Sequence, residues 1–224
     1  MNISIFYHIG MLGNWESLVD RQMKRVKAAG LYDASTINIG FATDNYRDDS
    51  SQLSNILQNN NMTENINILS CSGHKLSTCE YHTIKSLKSF ADSDNSNANI
   101  FYFHTKGLSH ANLTSDLFVK DWVELLEYFC IDKWENAVKA LELHDAYGVN
   151  YLLKSSWHET HFSGNFWWAK SDYIKTLDVD KLNLHDRLSA EMWIVANDHH
   201  KAACPHSSCI DHYCTPYPKN LYQN

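Results

Sequence analysis

The 224-residue sequence predicts an α/β fold with a mixed, largely parallel central sheet flanked by helices, on three observations. Short β-rich runs alternate with amphipathic stretches from the N-terminus to Gly107. Those stretches carry apolar residues at helical spacing. The fourth β-rich run ends abruptly in polar residues, at the kind of strand end where open α/β sheets bind ligands.

Strands are expected over residues 2–8, 36–42, 66–70 and 99–104. Between the first two, Trp15, Leu18, Val19, Met23 and Val26 recur at helical spacing, and Gly30 follows as a stop. Residues 50–57 and 83–90 read as the next helices, and 92–99 (DSDNSNAN) as a polar loop feeding the fourth strand. Beyond Gly107 the rhythm changes. Leu117, Phe118, Trp122, Leu125, Leu126 and Phe129 form one helical stripe, and Trp134, Ala137, Val138 and Leu141 form a second. Residues 147–152 and 162–169 look like further strands, and 171–176 and 189–196 like short helices. The tail from Cys204 is irregular, aromatic and rich in histidine. No repeat or low-complexity linker interrupts the chain, so residues 1–224 read as a single domain.

A chain that is 44% hydrophobic and 12% aromatic can bury one sizeable core at this length. No apolar run approaches the roughly 20 residues that span a bilayer, and the run 3–9 lacks a basic flank, so it reads as a strand and not a signal peptide. The net charge of −7 disfavours a general nucleic-acid binder, which needs basic surface to displace counterions. Any phosphate site must then be local. Six cysteines without a secretory signal suggest reduced thiols and a cytoplasmic address, in the producing or a host cell. The sequons at Asn2, Asn61 and Asn112 are then chance matches.

Four stretches could carry chemistry. The strand 99–103 runs into His104-Thr105-Lys106-Gly107, where threonine and backbone N–H groups can donate to phosphate, lysine supplies a charge, and glycine permits close approach. A turn with a solvated lysine is the plain alternative, and spacing does not decide. The segment 161–169 (HFSGNFWWA) joins aromatic rings to a Gly-Asn pair, a surface suited to sugars, against which stands a buried aromatic strand. Glu191 lies among apolar residues on a predicted helix, as a general base or as a salt-bridge partner of Arg187 one turn earlier. Finally, His199, His200, Cys204, His206, Cys209, His212 and Cys214 invite a zinc reading, but Cys-x4-Cys-x4-Cys lacks the short knuckles of structural zinc sites.

Taken in order, Phe-His-Thr-Lys-Gly, the Trp122 helix, His161 to Ala169, Ala-Glu-x-Trp at 190–193 and Asp-His-Tyr at 211–213 resemble the HTKG-containing GT-A glycosyltransferases of viruses and bacteria, chlorella-virus capsid-glycan enzymes among them. The HTK element is similar to that of rhamnan-synthesis glycosyltransferases. Trp15 and Gly30-Leu31-Tyr32-Asp33 fit the same pattern, so the resemblance runs from the first helix to Tyr213.

The resemblance implies a GT-A (Rossmann-like) fold and a nucleotide-sugar-dependent hexosyltransferase. It implies a nucleotide-diphosphate donor, a UDP-hexose such as UDP-glucose or a rhamnose nucleotide, and a glycan acceptor, with inversion. It also implies a divalent cation, Mn2+ or Mg2+. Where such a sheet normally carries Asp-x-Asp, this chain reads His104-Thr105-Lys106. Either Lys106 takes over the metal's electrostatic work, or a metal is held mainly by phosphates with His104 or His212 completing its shell. The string Asp92-Ser-Asp94 precedes the strand and reads as a solvated loop. On this reading Glu191 is the base. Thr105, Lys106, Gly107 and His212 face the diphosphate, and Gly164, Asn165 and Trp168 line the sugar pocket. His8, Asp44 and Thr83 lie near the nucleobase. A lectin-like glycan-binding module is the alternative from a different class, and a pyrophosphorylase is disfavoured because no Gly-rich basic loop follows the first strand.

Overall fold

Seven of the eight residues of Ile3–Gly10 (β1) are buried, which requires a strand covered on both faces. The chain then forms α1 (Trp15–Ala28), β2 (Thr36–Ala42), α2 (Tyr46–Asn59), β3 (Ile66–Ile68), α3 (Tyr81–Ser93) and β4 (Asn99–His104). Next come α4 (Asp116–Glu127), a π-helical turn at Tyr128–Asp132, α5 (Trp134–Ala140), β5 (Ala146–Gly148) and β6 (Tyr151–Leu152). The last elements are β7 (His161–Phe162), β8 (Trp167–Lys170), α6 (Ser171–Lys175), α7 (Arg187–Trp193) and β9 (Ala202–Ala203). This computed structural model describes residues 2–93, 98–108, 116–197 and 199–223; Asp94 of the Asp-x-Asp string and the sequon at Asn112 lie outside them.

The main sheet has seven strands in the order β3-β2-β1-β4-β8-β5-β9. Strands β3, β2, β1 and β4 are mutually parallel, β8 is antiparallel to both its neighbours, and β5 and β9 are parallel to each other. The architecture is thus α/β with a mixed, largely parallel sheet, as the alternating pattern predicts. Side-chain alternation divides the core in two. Ile3, Ile5, Tyr7, Phe101, Phe103 and Trp168 pack beneath α1 and α4. Phe6, Ile100, Tyr102 and Trp167 face the opposite side, with Ile84 and Leu87 of α3 and Trp193 of α7.

Helices α1 and α4 are tied by charge as well as packing. Glu127, fully buried, accepts from Arg21 at 2.6 and 2.8 Å, from Arg25 at 2.7 Å and from Gln22 at 2.9 Å. A carboxylate without water is tolerable only because so many donors replace its hydration.

Two expected strands do not run as expected. The stretch 147–152 divides at Asn150, whose φ of 52° turns the chain, so that β5 joins the main sheet and β6 a separate hairpin with β7. The stretch 162–169 divides at Gly164 and Asn165, with φ of 101° and 55°: two consecutive left-handed residues make a turn between β7 and β8. The helices are each somewhat longer or shorter than apolar spacing suggests, and α3 runs through Asp92 and Ser93, where a loop was expected.

Candidate functional site

Strands β1, β2 and β3 are laid down in one direction across the sheet, and β4 then returns to the other side of β1. The carboxyl ends of β1 and β4 are therefore the point where the winding reverses, the place where open α/β sheets form a crevice. In register, His8 stands beside His104 there. A cleft of about 250 Å3 opens at this edge, lined by His8, Glu80, His104, Lys106, Arg187 and Glu191 among others.

The HTKG corner is rigid. Thr105 donates its N–H to the His8 carbonyl at 3.0 Å, and its hydroxyl accepts the Gly10 N–H at 2.9 Å. The Lys106 N–H is taken by the His104 carbonyl at 2.9 Å. The Thr105 groups tie β4 to β1 and the Lys106 N–H closes the strand end on itself, so none is available to a phosphate, contrary to expectation. Gly107 has φ of 96°, and a Cβ there would stand 3.0 Å from Val119, so only glycine fits this turn without strain. What the corner presents is the Lys106 ammonium, 3.8 Å over the Trp122 ring and with no carboxylate within 4.0 Å among the described residues. Burial lowers its pKa, Glu191 and Glu80 oppose that, and Arg187 adds to the lowering.

Two carboxylates frame this cation. Glu191 lies on α7, half-buried, and accepts the Gly164 N–H at 2.6 Å. The salt bridge to Arg187, the plain alternative to a role as base, is not formed. Arg187 is exposed on the cleft wall without an ion pair within 4.0 Å among the described residues. Glu80, nine-tenths buried, precedes α3 and accepts that helix's first bond, from the Ile84 N–H, on its carbonyl. Its Oε1 lies 2.8 Å from His104 Nδ1, a close polar contact without an aligned hydrogen bond. Its Oε2 accepts the Asn165 amide at 3.0 Å. Burial pushes the Glu80 pKa up, but His104, His8 and Lys106 outweigh it and hold the carboxyl at about 2.

The remaining expected residues divide by position. His8 lines the cleft, but its Nδ1 is 2.8 Å from the Thr83 hydroxyl, and burial holds its pKa at about 4. Thr83 is itself buried beneath Gly40, where a Cβ would stand 2.2 Å from its hydroxyl, so Thr83 reaches no ligand directly. Asp44 is exposed in a shallower depression beside the cleft with Tyr46 and Lys75, and accepts the Leu76 N–H at 3.4 Å. Asn165 lines the cleft with its amide spent on Glu80 and its oxygen on Trp167. Gly164 is a hinge point and not a wall: its N–H goes to Glu191, its carbonyl to His104 Nε2 at 3.2 Å, and a Cβ would meet Leu126 at 2.6 Å. Trp168 is in the core, stacked on Phe101 and bonded to the Cys130 carbonyl, and does not reach the cleft.

His212 is buried against Trp122, with rings stacked at 5.1 Å; Nε2 meets Ser208 at 2.8 Å and Nδ1 has no partner. Burial brings its pKa to about 4. Both His104 nitrogens face protein oxygens, and His212 lies behind the tryptophan, so the two expected metal ligands do not converge. Among the described residues no group of three or more His, Cys, Asp or Glu side chains comes together to hold a metal ion. All six cysteines are free thiols.

Sequence reasoning missed Glu80 entirely and weighed Arg187 only as a salt-bridge partner. An acidic residue before a helix is too common to mark a site, and only the fold reveals that Glu80 turns inward. Leu12, Leu188 and Tyr213 rim the cleft, each about half exposed.

Residues 6–206 match the family described as Domain of unknown function (DUF8361). The chain belongs to that family. The match takes in every residue that frames the cleft except Tyr213. No curated protein matches the chain. No helix among the described residues is long and apolar enough to cross a membrane.

Proposed function

We propose that this family member is a glycosyltransferase of the GT-A type, moving a hexose from a nucleotide-diphosphate donor, UDP-glucose or a similar nucleotide sugar, to a hydroxyl of a glycan acceptor with inversion. The observation that carries the reading is one cleft at the sheet's reversal point holding two cations unpaired by carboxylates among the described residues, Lys106 and Arg187, and one carboxylate fixed by a backbone N–H, Glu191. Transfer of a sugar from a diphosphate needs these parts: positive charge where the leaving group gathers negative charge, and a base where the acceptor loses a proton.

In the proposed step Glu191 takes the proton of the acceptor hydroxyl as its oxygen forms a bond to the anomeric carbon. The bond from that carbon to the diphosphate oxygen breaks on the opposite face, and the electron pair leaves with the nucleotide diphosphate. Lys106 and Arg187 neutralise the departing phosphates. Of the two explanations for the missing Asp-x-Asp, this arrangement favours the first, Lys106 taking over the metal's electrostatic work with Arg187 beside it, since both His104 nitrogens face protein oxygens and His212 is buried against Trp122. The donor's nucleobase is proposed to lie over the ends of β1 and β2, beside the depression that holds Asp44.

The lectin-like alternative rests on rings facing solvent, but Phe166, Trp167 and Trp168 are all fully buried, and no specific observation favours it. Glu191→Gln tests the proposal. Turnover of the nucleotide sugar is abolished while UDP binding, read by calorimetry, persists; turnover that survives removes Glu191 as the base.

A further inference from the structure

Glu80 is a buried anion that the proposed reaction does not use. It makes two contacts, and both lead to the same turn. Oε1 pairs with His104, whose other nitrogen reaches the Gly164 carbonyl, and Oε2 holds the Asn165 side chain. The turn is built from consecutive residues with positive φ, a conformation that needs external support. On the far side of Gly164, its N–H donates to Glu191 at 2.6 Å. The two peptide units flanking Gly164 are thus pinned from opposite directions, one by the Glu80–His104 pair and the other by Glu191.

We infer that Glu80 is a positioning residue that sets the aim of Glu191 through His104 and the Gly164–Asn165 turn. The inference rests on Glu191 being the base. Its position at the amino end of α3, thirteen residues long, favours the anion further, because the helix dipole is positive there. A carboxylate is the group this place requires: one oxygen accepts from Asn165 while the other sets negative charge 2.8 Å from His104 Nδ1, whereas an amide carries no charge. Glu80→Gln therefore removes the negative charge beside His104 and releases one of the two holds on the turn.

The chain has eight glycines, so 15N-glycine labelling gives a spectrum simple enough to follow Gly164. Its amide proton, bonded to a carboxylate, is expected far downfield. Glu80→Gln and His104→Gln should each move that signal toward the position it takes in Glu191→Gln, with the other glycines little changed and the melting transition still cooperative. The second variant breaks the link from the other side and keeps the test open if the first does not fold. With UDP-glucose as probe, kcat falls on the order of 100-fold in both variants, as for a displaced catalytic group, and in Glu80→Gln KM does not rise, because an anion near Lys106 has been removed. A Gly164 signal unmoved in both variants overturns the inference, as does a moved signal with unchanged kcat. If the wild-type protein releases nucleotide from no sugar nucleotide, the transferase reading falls, and the Gly164 signal alone decides whether Glu80 positions Glu191.

Discussion

At the scale of single residues, what decides a role is where a side chain's polar atoms are already spent. Thr105 looks like a phosphate donor in sequence, yet its N–H and hydroxyl both serve β1. Trp168 looks like a sugar platform, yet its indole N–H is bonded to Cys130 and its ring is enclosed. Lys106 and Arg187 keep their charges facing the cleft. Lys106→Ala and Arg187→Ala should each weaken UDP binding by roughly tenfold to a hundredfold, the loss expected for one charge-assisted contact to phosphate. Calorimetry checks this, and an unchanged affinity in either variant removes that residue from the site. Trp168→Phe, by contrast, should lower the melting temperature and leave UDP affinity as it is.

At the scale of elements, the strands 36–42 and 99–104 were readable to the residue, the first because apolar residues alternate with Thr36, Asn38 and Gly40, the second because an apolar run is bounded by Asn99 and His104. The stretch 162–169 was not, because aromatic residues on both sides mask the Gly-Asn turn that divides it. That turn is what brings Gly164 between His104 and Glu191, so the missed break is also the missed part of the site. Pairings across 27 or more residues, such as Glu191 with Gly164 and Glu80 with Asn165, leave no local trace in sequence. Gly164→Ala forces a Cβ against Leu126 and an alanine into a left-handed conformation. It should cost about 1–3 kcal/mol in chemical denaturation and reduce turnover as well. The α1–α4 clamp makes a prediction away from the site: Glu127→Ala leaves Arg21 and Arg25 without their buried partner and should destabilise the fold by about 3–5 kcal/mol, without altering UDP affinity per folded molecule.

At the scale of the whole molecule, the buried titratable groups fix how stability follows pH. His8 and His212 are held at about 4, below the ordinary 6.5, chiefly by burial. Between those values the unfolded chain binds protons that the folded one refuses, so stability rises from pH 4 to 6.5 and these groups contribute no further slope above it. Glu80 is depressed from 4.5 to about 2, and its contribution, present above 4.5, is lost as pH falls toward 2. Melting temperature should therefore drop steadily as pH is lowered from 6.5, and His8→Gln should flatten the slope between 6.5 and 4. A wild-type melting temperature independent of pH across that window contradicts the burial of both histidines as neutral rings.

The central claim is that the crevice between the ends of β1 and β4 takes a nucleotide sugar and breaks its bond to the diphosphate. The most direct test is a panel of nucleotides and sugar nucleotides, with and without manganese, read both as thermal shift and as free nucleotide released. One sugar nucleotide should raise the melting temperature of the wild-type protein, and less so that of Lys106→Ala. Wild type should also slowly free the nucleotide diphosphate without any acceptor, and Glu191→Gln should not. No shift and no release with any member of the panel, in either metal condition, would contradict the claim.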